Sequence, residues 1–301
     1  MEWLSSIRKA IGYIENHLEE DISVKDVADE VYLSPFFLQR GFSVMCGCSI
    51  GEYIRNRRLH KAAVDLLNTK DKVIDIAFRY GYETPESFAK AFSRFHGASP
   101  SQVRSGAPIK TFLPLTISVH VQGGNQMDCR IVTLFPFKVI GFERVFDSET
   151  SNARIPEFWD ELCEKYADSV YAGNEPANPY EKSIIDNCIG EYAVCIDDLG
   201  ADRFRYLVAG RYTGGEVPEG MTLYEFPKGD WAIFDCIGPV PEALQSLNTR
   251  IFKEWLPGNP DYELCGNANV EWYDTIRGEK SDPDYHSAVW IPIRRTEKTS
   301  E

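Results

Sequence analysis

Three side chains near position 40 have the chemistry and spacing needed to read a nucleic acid. Gln39 and Arg40 follow Phe36 by three and four residues, which places them on one face of a helix with it, and Ser43 continues that face. Arginine and glutamine can form paired hydrogen bonds with base edges in the major groove, and an apolar group can contact a thymine methyl. The pattern predicts a DNA-reading surface. A core phenylalanine beside an ordinary surface pair is the alternative interpretation.

A second group of side chains whose types and spacing suggest a binding site lies in the segment 269–274. Glu271 and Tyr273 alternate along it, which places both side chains on one face of a strand. A buried carboxylate without a partner is costly, so Glu271 needs an arginine, a set of hydrogen bonds or a cationic ligand. The pattern predicts a site for positive charge among aromatic rings. A surface glutamate on an edge strand is the alternative.

Residue patterns typical of enzymes and metal sites are missing from the sequence. No Ser-His-Asp order, metal-ligand cluster or phosphate loop occurs, and the five histidines stand far apart. The eight cysteines are scattered, and Cys46 and Cys48 lack the paired spacing of a zinc site. We therefore expect no catalytic residue, no metal and no cofactor.

Composition and charge limit the class of protein further. The 301 residues are 43% hydrophobic and 26% charged, which suits two folded domains. No stretch approaches the ~18 apolar residues of a membrane span, and no signal-peptide pattern is seen, so we expect a cytoplasmic protein without a membrane partner. Residues 1–110 hold 15 Lys and Arg against 14 Asp and Glu, whereas residues 111–301 hold 17 against 32. The first part can therefore present a basic face, and the acidic second part suits a cationic ligand.

Helices must position the residues around Arg40. A hydroxyl cap at Ser23 begins a short helix, and Ser34 followed by Pro35 begins a second one, so the two form a helix-turn-helix unit. The arrangement recurs about fifty residues later, where Thr84-Pro85 repeats the cap and the proline. A helix over 50–67, about 27 Å long, joins the two units and nearly matches the ~34 Å of one DNA turn.

Residues 23–104 resemble the DNA-binding domain of the AraC/XylS transcription regulators. The most specific segment is 77–83 (AFRYGYE), and the resemblance extends through Ser87-Phe88, Phe92-Ser93-Arg94-Phe95, Gly97, Ser99-Pro100 and Arg104. It implies that one monomer lays two recognition helices into successive segments of the major groove. The base-reading positions that it implies are Phe36, Gln39 and Arg40 in the first helix and Glu86, Ser87 and Lys90 in the second. Contacts to phosphate are expected from Ser34, Thr84, Lys90 and Arg94.

Two features depart from the family pattern. Tyr32 stands where such turns commonly carry glycine, which indicates a turn without a left-handed residue. Pro85 and Glu86 replace a neutral polar pair, and phosphates repel a carboxylate. We therefore expect most of the sequence discrimination to come from the first unit.

The pattern changes to β-branched and aromatic runs from Arg130 onward, after a linker at 107–126 in which 112–121 is predicted to be a strand. A weak internal repeat predicts two βαββ units. The first unit has a strand at 131–145, a helix at 156–166 and strands at 191–196 and 205–212. The second has a strand at 231–237, a helix at 241–255 and strands at 270–273 and 288–293.

Residues 127–295 resemble the GyrI-like effector-binding domain, which also occurs behind AraC-type domains in Rob-like regulators. The segments that carry the resemblance are 155–159 (IPEFW), 255–257 (WLP), 262–264 (YEL), 270–273 (VEWY) and 290–293 (WIPI). In that family the glutamate of the Glu-x-Tyr strand lies in an aromatic pocket for lipophilic, often cationic molecules. The resemblance thus implies that Glu271 is the counter-ion beside Tyr273, with Trp231, Tyr192 and Trp159 as candidate walls.

The sequence predicts a multidomain transcription regulator. An all-α double helix-turn-helix domain at 1–106, with units at 23–46 and 72–96, precedes an α+β effector-binding domain at 127–296. The expected partners are double-stranded promoter DNA and a small-molecule effector, with RNA polymerase as a further candidate. The alternatives are a small-molecule hydrolase or a sequestering activity in the GyrI-like domain.

Overall fold

The computed structural model describes residues 3–117, 127–148, 150–171, 175–199, 203–275 and 279–296. The chain divides into two compact units: Leu4–Val121 is the first, and Gln122–Glu301 together with Met1–Trp3 is the second. Within the described ranges no helix is long and apolar enough to cross a membrane, and no cluster of three His, Cys, Asp or Glu could hold a metal ion.

The first unit is entirely helical in its described part. Its helices are α1 (Trp3–Asn16), α2 (Val24–Glu30), α3 (Pro35–Cys46), α4 (Ile50–Asn68), α5 (Val73–Arg79), α6 (Pro85–His96) and α7 (Pro100–Arg104). The caps predicted from sequence start three of them: the side chains of Ser23, Ser34 and Thr84 accept hydrogen bonds from backbone N–H groups in the first turns of α2, α3 and α6. The predicted all-α double helix-turn-helix architecture is confirmed.

The turn between α2 and α3 differs from the prediction. Tyr32 has φ +57°, a left-handed conformation, and Gly81 in the equivalent turn of the second unit has φ +79°. The turn therefore keeps its left-handed geometry although a tyrosine occupies the position. The Tyr32 side chain is 76% exposed, and the ammonium of Lys9 lies 5.5 Å from its ring centroid. The ring packs on the surface while its backbone is strained.

The linker does not form the predicted strand over the residues that the structure describes, which end at 117. Its backbone groups bond to side chains of α4 instead of to a neighbouring strand. The Phe112 carbonyl accepts a hydrogen bond from Arg57, and the Leu115 N–H donates to the Tyr53 hydroxyl at 3.2 Å. These bonds hold the start of the linker on the first unit, and residues 118–121 lie outside the described part.

The described part of the second unit contains a nine-stranded antiparallel sheet. Its strands are β1 (Arg130–Leu134), β2 (Phe137–Asp147), β3 (Tyr192–Ile196), β4 (Arg203–Arg211), β5 (Met221–Phe226), β6 (Gly229–Ile237), β7 (Tyr262–Leu264), β8 (Ala268–Tyr273) and β9 (His286–Arg295). The order is β1-β6-β9-β8-β3-β4-β2-β5, with β7 paired to β9. The central pair β3 and β8 has β4 and β9 on its two sides and β2 and β6 beyond them, which is the symmetry expected of two βαββ units.

Several elements differ from the sequence prediction. The strand predicted at 131–145 is two strands that separate at Phe135-Pro136, and β1 pairs with β6 of the other half. The strands β5 and β7 and the helix α9 (Pro179–Asp186) were not predicted. The helix predicted at 156–166 is α8 (Ser151–Tyr171), with Pro156 in its second turn. A proline near a helix start marks the first turns without fixing the first residue.

Two helical segments pack on the same face of this sheet. In the first half, Phe158 of α8 contacts Phe146 of β2, with ring centroids 6.0 Å apart. In the second half, α10 (Glu242–Arg250) continues through a π-helical turn, Ile251–Trp255, whose Trp255 contacts Phe234 of β6 at 5.0 Å. The middle strands β3 and β8 therefore lie between the two helical segments.

Candidate nucleic-acid interface and cation site

The orientation of α3 follows from its buried residues. Phe37, Leu38 and Phe42 are at most 2% exposed, so they fix the side of the helix that faces the core. Gln39 and Arg40 are partly exposed, and Ser43 is exposed. The predicted face of α3 is therefore on the surface.

Phe36 is neither a core residue nor a free surface ring. It is partly exposed, its ring packs edge-on against Phe37 at 5.7 Å, and the Arg40 guanidinium lies 5.7 Å from its centroid. Arg40 therefore lies beside Phe36 on the partly exposed face of α3.

The recognition helix of the second unit presents charge more than base-reading groups. Glu86, Lys90 and Arg94 are exposed, and Phe88 and Phe92 face the core. The Ser87 hydroxyl donates to the Thr84 carbonyl at 2.9 Å and accepts from the Thr84 hydroxyl at 3.0 Å. Both hydroxyls are thus engaged in the helix cap, which leaves α6 with two cations and one carboxylate toward solvent.

Two arginines of α4 act inside the first unit. Arg57 forms a two-point ion pair with Glu15 of α1, with both N–O distances 2.7 Å, and its side chain is 5% exposed. Burial opposes ionisation of Glu15, but the hydrogen bonds from Arg57 and Tyr53 outweigh it and lower the pKa of the carboxyl. Arg58 donates to the carbonyls of Leu18 and Glu20. These guanidinium groups brace the domain, whereas Arg55 and Lys61 on the same helix are exposed.

The second site is built on β8 and covered by α8. Glu271 and Tyr273 share one face of the strand, and the Tyr273 hydroxyl donates to Glu271 Oε2 at 2.9 Å. From α8, Trp159 lies edge-to-face against Tyr273 at 5.6 Å, and its Nε1 donates to the Tyr206 hydroxyl at 3.0 Å. We call these four residues, Glu271, Tyr273, Trp159 and Tyr206, the Glu271 site.

Burial controls the protonation of the two phenols. Desolvation, followed by the charge of Glu271, raises the pKa of Tyr206 and of Tyr273 well above its usual value. Both hydroxyls therefore stay protonated at neutral pH, and Tyr273 keeps its hydrogen bond to the carboxylate. Trp159 is only partly buried, so one side of the site borders solvent.

Two of the predicted walls lie elsewhere. In the sheet register Tyr192 pairs with Trp272 and Trp231 pairs with Pro292, and both side chains lie in a hydrophobic core with Val270. Successive residues of a strand point to opposite faces, so this core is on the side of β8 away from Glu271. Tyr192 and Trp231 are therefore separated from the Glu271 site by the sheet. Tyr192 instead borders a cavity of about 210 Å³ on that side.

Two residues of the region were not predicted as site residues. Tyr206 lies on β4 and reaches the Glu271 site across the intervening strand β3, a relation that only the strand order reveals. Lys280 lies in the connection between β8 and β9, and its ammonium is 3.8 Å from the Trp159 centroid and 4.8 Å from the Tyr273 centroid. Nothing in a loop lysine's sequence context indicates such a position.

Comparisons with known proteins agree with this architecture. The helix-turn-helix domain family matches residues 27–106, and the integron-associated effector binding protein family matches residues 130–293. The HTH-type transcriptional activator AarP of Providencia stuartii is 40% identical over 33% of this chain and 74% of its own. The regulatory protein SoxS of Salmonella typhimurium is 36% identical over 33% of this chain and 92% of its own.

The chain belongs to the AraC family of transcription regulators. Its second unit is an effector-binding domain of the integron-associated, GyrI-like type. YbfP, an uncharacterized HTH-type transcriptional regulator of Bacillus subtilis, is 29% identical over 68% of this chain and 60% of its own. The chain thus aligns with less than two thirds of that relative.

Proposed function

We propose that this AraC-family regulator reads the bases of promoter DNA mainly through α3 and contacts the phosphate backbone of the DNA through α6. The observation that supports this division is the difference between the two recognition helices. The Arg40 guanidinium lies 5.7 Å from the Phe36 ring centroid on the surface of α3, whereas Ser87 is engaged in its own helix cap and Glu86 stands beside it. Selection of bound sites from random duplexes tests it: one strongly specified half-site next to a weakly specified one is the expected pattern. Two equally specified half-sites contradict it.

The Glu271 site is proposed to bind a lipophilic, cationic effector. A carboxylate held beside two aromatic rings supports this ligand class, because ring faces and a carboxylate both attract positive charge. Neither interaction demands a particular shape, so the site suits large, weakly hydrated cations.

Glu271→Gln tests the counter-ion role directly. The glutamine keeps an acceptor for the Tyr273 hydroxyl and removes the charge, so the substitution is close to isosteric. Two unit charges 5 Å apart attract by roughly 3 kcal/mol at an effective dielectric constant of 20. Because Glu271 is partly exposed, we expect about a 10- to 100-fold loss of affinity for tetraphenylphosphonium in calorimetric titrations.

Tetraphenylborate, which has the same shape and the opposite charge, is the matched ligand control. It should bind the wild-type protein weakly and should not lose affinity in the variant. Equal losses for both ions would show that the substitution damages the Glu271 site instead of removing a counter-ion.

A hydrolase is the second candidate function, and the hydrogen-bonded pair of Glu271 and Tyr273 is the observation that favours it. A carboxylate beside a protonated phenol can serve as general base and hydrogen-bond donor for attack of water on an electrophile. Turnover of reactive esters or epoxides by the wild-type protein, lost in Glu271→Gln, would support this function. Cation binding without turnover would support the sensor.

A further inference from the structure

Hydrogen bonds hold the backbone of residues 279–285, the described part of the connection that carries Lys280. The Lys280 carbonyl accepts from the Val240 N–H at 2.8 Å, and the Gly238 N–H donates to the Tyr285 carbonyl at 2.9 Å. The Asp282 N–H also bonds to the Glu279 carbonyl at 2.8 Å. Tyr285 itself is 2% exposed. Because these bonds hold the backbone of residues 279–285, the Lys280 ammonium can change its position by rotation of its side chain.

The ammonium of Lys280 occupies the place that a ligand cation would take. It lies over Trp159 at 3.8 Å and near Tyr273 at 4.8 Å, both well inside the ~6 Å reach of a cation–π contact. The residue as a whole stays exposed, but its charged end is packed among these groups. Desolvation there lowers the pKa of Lys280, against the opposing effect of Cys163, Asp160 and Glu271.

We propose that Lys280 is the resident cation of the Glu271 site and that an effector must displace it. The inference rests on the proposed cation-binding function and adds its regulation. A ligand that binds only when the lysine has rotated away has its affinity reduced by the fraction of molecules in that open state. Small, strongly hydrated ammonium ions gain no more from the rings than Lys280 does, so they cannot compete. Large lipophilic cations also gain from apolar contact. The lysine therefore raises the effector concentration that is needed for binding and makes the site selective for large lipophilic cations.

Lys280→Met tests the proposal, because methionine keeps an unbranched apolar side chain and removes the charge. We expect tetraphenylphosphonium to bind this variant about 5- to 30-fold more tightly than it binds the wild type, as measured by calorimetry on the full chain. Lys280→Arg keeps a cation over the rings and should stay within about 3-fold of the wild type. Lys228→Met is the matched control, since Lys228 also lies near a ring, that of the exposed Phe135 at 5.9 Å, and should leave the affinity unchanged.

Each outcome separates the inference from the function on which it rests. Equal or weaker binding by Lys280→Met, with wild-type binding intact, overturns the resident-cation proposal and leaves the effector proposal standing. A gain in Lys228→Met as large as that in Lys280→Met overturns it as well, because the effect would then reflect net charge alone. If neither the wild type nor Lys280→Met binds the cation, the effector proposal fails and the inference fails with it. Thermal unfolding of the three variants verifies that each is folded.

Discussion

The ion pair between Arg57 and Glu15 gives the sharpest stability prediction. The two side chains are 5% and 17% exposed, and Arg57 also donates to the Phe112 carbonyl, so one guanidinium joins α1, α4 and the start of the linker. Removal of one partner of a buried pair typically costs 3–5 kcal/mol. Because Glu15 keeps some exposure and its 2.8 Å hydrogen bond from Tyr53, we expect Arg57→Ala to destabilise the first unit by about 3 kcal/mol.

Urea unfolding followed by circular dichroism at 222 nm measures this loss of unfolding free energy. The first unit should unfold at a lower urea concentration in Arg57→Ala than in the wild type. Arg55→Ala on the exposed side of α4 is the matched control and should cost less than about 0.5 kcal/mol. The pKa of Glu15 is lowered in the fold from its ordinary 4.5, so its contribution is present above pH 4.5 and is lost as the pH falls below that value. A cost for Arg57→Ala no larger than that for Arg55→Ala would refute the bracing role.

Two further predictions concern the recognition surface and the turn before it. Arg40→Ala should cost about 1–3 kcal/mol of binding free energy at the selected DNA site and relax the sequence preference. Lys90→Ala should weaken binding to all duplexes alike and reduce the slope of log affinity against log salt by about 1. Equal effects of the two variants in competition titrations would contradict the proposed difference between α3 and α6. Tyr32→Gly should be more stable than Tyr32→Ala by about 0.5–1 kcal/mol, because both lose the ring and only alanine keeps the left-handed strain. Equal unfolding midpoints for the two variants would show that the turn stores no strain.

The helical domain could be predicted well because its signals are local. Hydroxyl caps, a proline at the first helical position and apolar residues three and four apart each act within one or two turns. Tyr32 was misjudged because the hydrogen bonds that end α2, from the Leu33 N–H to the Ala28 carbonyl and from the Tyr32 N–H to the Asp29 carbonyl, place a left-handed residue at this position whatever its side chain. The strand prediction for the linker was wrong over residues 112–117. Their alternation resembles a strand, but their backbone groups bond to the side chains of Arg57 and Tyr53.

The effector domain was predictable in outline and less so in its site. Alternation places Glu271 and Tyr273 on one face, and the hydrogen bond between them agrees. Alternation along one strand does not show which residues of the other strands lie on the same side of the sheet. Tyr192 and Trp231 could therefore not be placed on the side of Glu271 or on the opposite side before the strand register was known. The position of Lys280 could not be predicted from alternation, because a side chain in a loop is positioned by the backbone hydrogen bonds that hold the loop.

The most direct test of the DNA-reading role is the affinity of the full chain for its selected duplex, measured by fluorescence anisotropy over a series of salt concentrations. Binding through basic groups on α6 and base contacts from α3 predicts a logarithm of affinity that falls linearly with the logarithm of salt, and a preference over random duplex that persists at each salt concentration. A chain that binds no duplex in dilute buffer, or that binds selected and random duplexes equally, would contradict it.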